Sequence, residues 1–246
     1  MPIGHSFIEL GSVDSTNNYA MAQVHAGSAS HGAIFFAHQQ WAGKGQRGKT
    51  WASSPGENIL MTAVLKPATQ SMAGQFYLNA AIALSCHDLF SRYAGKEHSK
   101  IKWPNDLYWR DRKAGGILVE NSIRGDHWTV ALAGVGININ QTRFPETLRN
   151  PVSLRQITGR EFNVVDMAKE LAADLEHRYE QLVSKGGKTI LDKYNRRLYM
   201  TGRTVTLKYD QAAIETTIQR VTKRGELVTR DSIERRFKFG EVEWLP

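Results

Sequence analysis

Two short apolar runs, residues 33–37 and 58–65, are bridged by a segment of different character, Gln40-Trp41-Ala42-Gly43-Lys44-Gly45-Gln46-Arg47-Gly48-Lys49-Thr50-Trp51. Apolar runs of this length read as buried strands, so the segment is a loop carried between two strands of a sheet. Glycine tolerates φ > 0 and lets a ligand approach the backbone closely. A loop that alternates glycine with Lys44, Arg47 and Lys49 can therefore aim several N–H groups and several charges at one anion. A phosphate fits that description, and a basic surface loop is the bland alternative. The usual nucleotide-binding folds get no support from it.

Composition narrows the classes. A chain of 246 residues with 41% hydrophobic and 23% charged residues can bury a substantial core. No apolar run reaches the roughly 18 residues of a membrane span, and the first residues lack the basic and apolar regions of a signal peptide. A cytoplasmic protein with no membrane partner is expected. Cys86 is the single cysteine, which excludes an intramolecular disulfide and a cysteine-rich zinc site. It shares a helical stripe with Leu78, Ile82, Leu89 and Tyr93, so it is read as core. The net charge of +8 is spread along the chain. It suits an enzyme handling polyphosphate or docking on an acidic protein as well as it suits a nucleic-acid binder.

Periodicity predicts a mixed α+β fold, a β-sheet flanked by helices, over residues 1–200. Strands are expected at 6–10, 33–37, 58–65, 99–103, 113–120 and 128–140, with a helix that Asp14-Ser15-Thr16-Asn17-Asn18 can cap and that ends near Gly27. A buried helix is expected over 72–93, an amphipathic one over 168–182 and another over 188–199. From Thr201 onward, candidate strands at 204–208, 213–221, 226–229 and 236–239 suit a small β-barrel, so 201–246 is expected as a second domain.

Two more segments carry chemistry. In Lys102-Trp103-Pro104-Asn105-Asp106, proline ends a strand and places a polar pair at its tip, and Lys113 opens a strand whose Gly115-Gly116 pair leaves room against the backbone. A plain turn with a solvated lysine would look the same. In Ala133-Gly134-Val135-Gly136-Ile137-Asn138-Ile139-Asn140, Asn138 must be satisfied by neighbouring backbone or must face a ligand or a hydrated metal.

Taken together, the glycine-cation loop, Lys-Trp-Pro-Asn-Asp, the run Lys113 to Glu120 and Gly-Val-Gly-Ile-Asn resemble, in order and interval, the motifs of biotin protein ligases. Asp14-Ser15-Thr16-Asn17 resembles that family's biotin-contacting segment. The resemblance spans about residues 10–140, and the tail extends it to nearly the whole chain. It implies a catalytic domain similar to class II synthetases with a C-terminal SH3-like barrel. It also implies a two-step reaction, in which biotin and ATP give biotinyl-adenylate and pyrophosphate before a lysine of a biotin carboxyl carrier domain displaces AMP.

By the same resemblance, Ser15, Thr16, Asn17 and Gln40 hold biotin, and Lys113, Gly115 and Gly116 lie along its acyl chain and carboxylate. The nucleotide is held by Gly43, Lys44, Gly45, Gln46, Arg47, Gly48 and Lys49, with Trp51 at the adenine and Asn105 and Asn138 toward phosphates or Mg²⁺. Lys113, Asp106, Lys44 and Arg47 are the catalytic candidates, Asp106 for the incoming ammonium. One position departs from the family pattern: Gln46 stands where many members have a second arginine, which predicts looser adenylate retention or a takeover by Arg47 or Lys49. The motifs begin close to residue 1, so the ligase-only class without a DNA-binding domain is expected. A homodimer is among the partners allowed. In the tail, Arg235, Arg236 and Lys238 are expected to face nucleotide or carrier. Two rivals stand beside this reading, a lipoate ligase or octanoyltransferase of the same fold and a non-enzymatic nucleic-acid binder.

Overall fold

In the computed structural model, which describes residues 1–67, 72–125 and 127–245, the chain runs β1 (Ser6–Val13), α1 (Thr16–His25), β2 (Ala33–Gln40), β3 (Asn58–Leu65), α2 (Gln75–Ala94), β4 (Ser99–Lys102), β5 (Asp106–Trp109), β6 (Arg112–Arg124) and β7 (His127–Asn138). It continues through α3 (Leu154–Thr158), α4 (Val164–Arg196) and β8 to β12 (Thr204–Tyr209, Ala212–Val221, Leu227–Arg230, Glu234–Phe237, Val242–Trp244). Pro246, the end of the expected second segment, lies outside the described residues.

The first seven strands form one sheet in the order β1-β2-β3-β7-β6-β5-β4, with β1–β2 parallel and every other pair antiparallel. Alternation along the strands feeds two apolar layers. Ile34, Phe36, Met61 and Ala63 face α2 and α4, whereas Phe35, Val64 and Leu132 face α1 with Ala20. The α2 layer is the larger, and burial of side chains such as Leu78, Ile82, Leu89 and Phe90 stabilises it by roughly 1.5–3 kcal/mol each. Cys86 belongs to it, and burial pushes its thiol pKa up.

The remaining five strands form an antiparallel sheet in the order β11-β10-β9-β8-β12. It is tied to the first part at the β4–β5 turn, where Trp103 Nε1 donates to the Gly225 carbonyl at 2.9 Å, and at the end of α4, where Asn195 exchanges hydrogen bonds with Val221 at 2.7 and 3.1 Å.

Several expectations need correction. Strands β5 and β12 and helix α3 were not expected, and the strand expected at 236–239 lies at Glu234–Phe237. The two helices expected over 168–182 and 188–199 are continuous in one long element bent at Gly186 (φ 78°, ψ 162°), a conformation glycine adopts without strain. Its N-terminus is capped by Asn163, whose Oδ1 accepts from the backbone of Val165 and Asp166. The letters Gly43-x-Gly45-x-x-Gly48 do match the dinucleotide fingerprint, but the loop leads into β3 and not into a helix, so the anion-binding helix terminus of that fold is missing.

Candidate active site

The cleft lies on the α1 face of the large sheet, and its floor is made by register. Asp106 of β5 pairs with Gly116 of β6, Gly116 with Gly136 of β7, and Gly136 with Leu60 of β3. A Cβ on Gly136 would sit 2.5 Å from the Trp51 ring and one on Gly134 would run into Asn17 Oδ1, so both side chains lie on bare backbone. Trp51 therefore packs on the floor beside Lys113, whose Nζ is 5.9 Å from the ring, and its own Nε1 is buried without a partner.

A bulge aims the principal lysine. The β5–β6 register shifts after Leu107, setting Lys113 opposite Tyr108 and turning its side chain onto the Gly116 face. There Lys113 Nζ lies 2.7 Å from Asp106 Oδ1, with the two side chains 35% and 25% exposed. A partly exposed pair of this kind contributes little to stability, so exchanging it for a ligand contact costs little. Lys113 is also fixed through its backbone, donating to Asn150 and accepting from Val152 at 2.9 Å.

At the other end of the cleft, Ser15 is the N-cap of α1 but makes no capping bond, and Ser15, Thr16 and Asn17 are buried. Gln40 Oε1 accepts from Thr16 N at 2.7 Å and from Thr16 Oγ1 at 3.0 Å, and Asn17 Nδ2 donates to Glu120 Oε2 at 2.7 Å. Thr62 joins them, its Oγ1 lying 2.6 Å from Asn17 Oδ1 and 2.8 Å from Thr16 Oγ1. The result is a polar socket set into an apolar sheet.

Over the middle, the loop folds back as a small hairpin. Gly45 N donates to Lys49 O at 2.6 Å and Trp51 N to Gly43 O at 2.8 Å. Gly43 is required there, since a Cβ would lie 2.6 Å from the Trp51 carbonyl. Arg47 is left-handed (φ 56°) and reaches Gly240 O at 3.4 Å, Lys44 bonds Asn18, and Lys49 is exposed. Gln46 donates from Nε2 to Ile117 O at 3.2 Å.

Most residues expected in the site line this one space of about 990 Å³, with Ser15, Thr16 and Gln40 at one end and Asp106 and Lys113 at the other. Two glycines do not line it. Gly43 supports the loop from behind, and Gly115 packs on the opposite face against Ile137 and Leu107. For Asn138, backbone satisfaction is the observed option, with Nδ2 donating to Val152 O at 3.1 Å. Asn105 Nδ2 likewise donates to Ile117 O at 2.6 Å. Arg235 and Arg236 line no part of the cleft and pair with Asp231 and Glu234 inside the small sheet. Among the described residues, no three His, Cys, Asp or Glu side chains meet as a metal cage.

Sequence reasoning missed Thr62, whose lone hydroxyl in an apolar strand was the available signal. It also missed the loop at 144–151, which walls the cleft, and the environment of Lys102. Lys102 Nζ sits 4.7 Å from the Tyr108 ring, 4.8 Å from that of Trp244 and 5.7 Å from that of Tyr199. Burial among these rings brings its pKa down to about 8, against the raising influence of Asp106.

Comparison with known proteins follows this geometry. Residues 10–138 match the biotin/lipoate A/B protein ligase family. The chain is 28% identical over 242 residues to the bifunctional ligase/repressor BirA of Escherichia coli, covering 97% of this chain and 74% of that one. It is 28% identical to the biotin–[acetyl-CoA-carboxylase] ligase of Paracoccus denitrificans, covering 90% and 92%. The chain spans about half the length of other curated relatives, for instance 46% of the Salmonella typhimurium ligase/repressor at 33% identity and 49% of the Bacillus subtilis one at 30%. Among solved structures, biotin protein ligase from Aquifex aeolicus in complex with biotin and ATP superposes with a TM-score of 0.81 at 22% identity, covering 98% and 99% of the two chains. The matched residues run from the second half of β1 through β7 and hence carry the socket, the loop and the Lys113–Asp106 pair: the chain belongs to the biotin/lipoate A/B protein ligase family.

Proposed function

We propose that this protein is an ATP-dependent biotin protein ligase of the cytoplasm, acting on a lysine of a biotin carboxyl carrier domain. The observation that carries the reading is the cleft's polarity. A hydrogen-bonding socket (Ser15, Thr16, Gln40, with Thr62 behind) lies at one end of a glycine floor and the Lys113–Asp106 pair at the other, beneath a cationic loop. A ureido ring can exchange hydrogen bonds with such groups, whereas the dithiolane of lipoate offers none in return. Relatives named as biotin ligases, and solved structures that hold biotin and ATP, support the same choice.

In this reading biotin's carboxylate oxygen attacks the α-phosphorus of ATP and pyrophosphate leaves. Lys113 neutralises the carboxylate and the charge developing at phosphorus, while Lys44, Arg47 and Lys49 approach the phosphates as the loop closes. Magnesium enters as the counter-ion of the nucleotide, held largely by phosphate oxygens and water. In the second step Asp106 takes a proton from the carrier ammonium, the freed amine attacks the acyl carbon, AMP leaves with the electron pair of the acyl–oxygen bond, and the second amine proton passes to the departing phosphate or to water. Gly136 and Trp51 exclude water from the adenylate between the steps.

The test is mass spectrometry of a carrier domain incubated with this protein, MgATP and either biotin or lipoate. One added biotinyl group is the expected result. Lipoyl transfer in preference to biotinyl transfer would move the assignment to the other branch of the family, and no acyl transfer from either acid would remove it.

A further inference from the structure

Alternation along β6 puts Gly116, Leu118 and Glu120 on one face of the sheet, and of these Gly116 and Leu118 line the cleft. Glu120 stands one step beyond its end, and no step of the proposed reaction uses it. Its Oε2 accepts from Asn17 Nδ2 at 2.7 Å, and the same Nδ2 lies 3.4 Å from the Leu118 carbonyl. A carboxylate and a carbonyl only accept, so the Asn17 NH₂ faces both and its oxygen is turned toward Thr62.

From there four oxygens form a row, Asn17 Oδ1, Thr62 Oγ1, Thr16 Oγ1 and Gln40 Oε1, at successive distances of 2.6, 2.8 and 3.0 Å. Three contacts need three hydrogens, and the row holds two, one on each threonine hydroxyl, because an amide oxygen only accepts. The direction of the Gln40 amide is fixed as well, since its Oε1 accepts from Thr16 N at 2.7 Å. The row is therefore one hydrogen short, a costly condition for a buried polar network. An N–H given to Gln40 Oε1 from outside completes it: the Thr16 hydroxyl then turns to Thr62, and Thr62 keeps its own hydrogen on Asn17. Gln40 is the end of the row that a ligand meets, being half-buried and lining the cleft, whereas Thr62 is wholly buried.

We propose that Glu120 is a positioning residue that sets the specificity of the socket: by holding the Asn17 NH₂ it keeps the row short of one hydrogen, and a ureido N–H of biotin supplies it. The inference rests on the ligase reading and adds to it the group that decides the socket's sign. A site that takes a hydrogen bond from its substrate discriminates strongly against an acid that cannot give one, and the ring of lipoate has no N–H. Removing the charge of Glu120 reverses the row. A glutamine at 120 can donate to Asn17 Oδ1 once the Asn17 amide turns over, at the cost of the long bond to Leu118. The Asn17 NH₂ then serves Thr62, the Thr62 hydrogen goes to Thr16 and the Thr16 hydrogen to Gln40. The row is complete without a ligand, and biotin loses its partner.

The experiment measures kcat, KM for biotin and KM for ATP in biotin-dependent exchange between pyrophosphate and ATP, with the biotin Kd from calorimetry, for Glu120→Gln, Thr62→Val and the two combined. Glu120→Gln is expected to raise KM and Kd for biotin about tenfold, the loss of one hydrogen bond, with kcat, KM for ATP and Tm at wild-type values. An anchor that merely ties α1 to β6 survives this change, since glutamine still accepts from Asn17, so wild-type biotin affinity in Glu120→Gln overturns the proposal. A rise in KM for ATP or a fall in Tm that accompanies the loss overturns it too, by making the effect a general loosening. Thr62→Val cuts the row, so adding Glu120→Gln to it should change biotin affinity no further. The full tenfold effect in that background overturns the route through Thr62. Failure of the unaltered protein to show biotin-dependent exchange strikes the ligase reading instead.

Discussion

In the proposed reaction the chemistry turns on Lys113, and the position of that residue is a product of local register. The bulge that sets it opposite Tyr108 brings its ammonium to Asp106 above a floor of bare glycine. Lys113→Ala should lower biotin-dependent pyrophosphate release on the order of 10²-fold or more. Because the pair is partly exposed, Tm should barely move. Near-wild-type release would take Lys113 out of the mechanism. Gln46 gives a second test, since it stands where the family pattern has arginine and bonds the Ile117 carbonyl instead. Gln46→Arg is expected to slow the escape of biotinyl-adenylate, measured by trapping it in solution, and unchanged or faster escape would contradict this. Lys102 gives a third, with a definite sign. Its folded pKa of about 8 lies below the usual lysine value, chiefly through burial. Between about pH 8 and 10.5 the unfolded chain binds more protons at this residue than the folded chain does, so its contribution makes stability rise with pH. Lys102→Met removes that dependence. The stability of the variant relative to wild type should therefore be greater at pH 7.5 than at pH 10, read from urea midpoints, and a difference constant with pH would refute it.

At the scale of elements, the loop 43–51 and strand β7 work as a unit. Trp51 lies on Gly136, so Gly136→Ala must displace the indole and, through it, the loop. Adenylate formation should fall severalfold, whereas Gly11→Ala, with no neighbour within 4 Å of the new carbon, should be silent. Equal activity of the two would separate Trp51 from the site. The hairpin 43–49 is also expected to lose protease sensitivity when biotin and MgATP are added. The same elements show what a sequence can reveal. Strands β2, β3 and β7 were legible because apolar runs ended at glycine or polar residues, and the four motifs were legible because they resemble, in order and interval, those of biotin protein ligases. Strand β5 was not, since Asp106–Trp109 is too short to show a period after the Trp103–Pro104 turn. The small roles of Thr62 and Gly115 escaped for a related reason. Which face a strand residue takes depends on pairing, and a single bulge between β5 and β6 changes the answer.

For the molecule as a whole, the small sheet is a working part of the cleft. Trp244 closes the aromatic box around Lys102, Arg47 reaches Gly240, and Trp103 is held by Gly225. We propose residues 1–200 and 201–246 as two domains joined in this way. Truncation after Gly202 should lower Tm and abolish adenylation, because it strips these contacts and exposes apolar surface around Trp103 and Tyr194. Arg235→Glu with Arg236→Glu should leave KM for ATP and carrier unchanged, since both arginines pair within their own sheet. Beyond these, no described helix is long and apolar enough to cross a membrane. The central claim, that this cleft activates biotin, is tested most directly by isotope exchange between pyrophosphate and ATP without any carrier. Exchange is expected with biotin, far weaker with lipoate, and lost in Lys113→Ala at unchanged Tm. Exchange that does not depend on biotin, or that survives in Lys113→Ala, would contradict the claim.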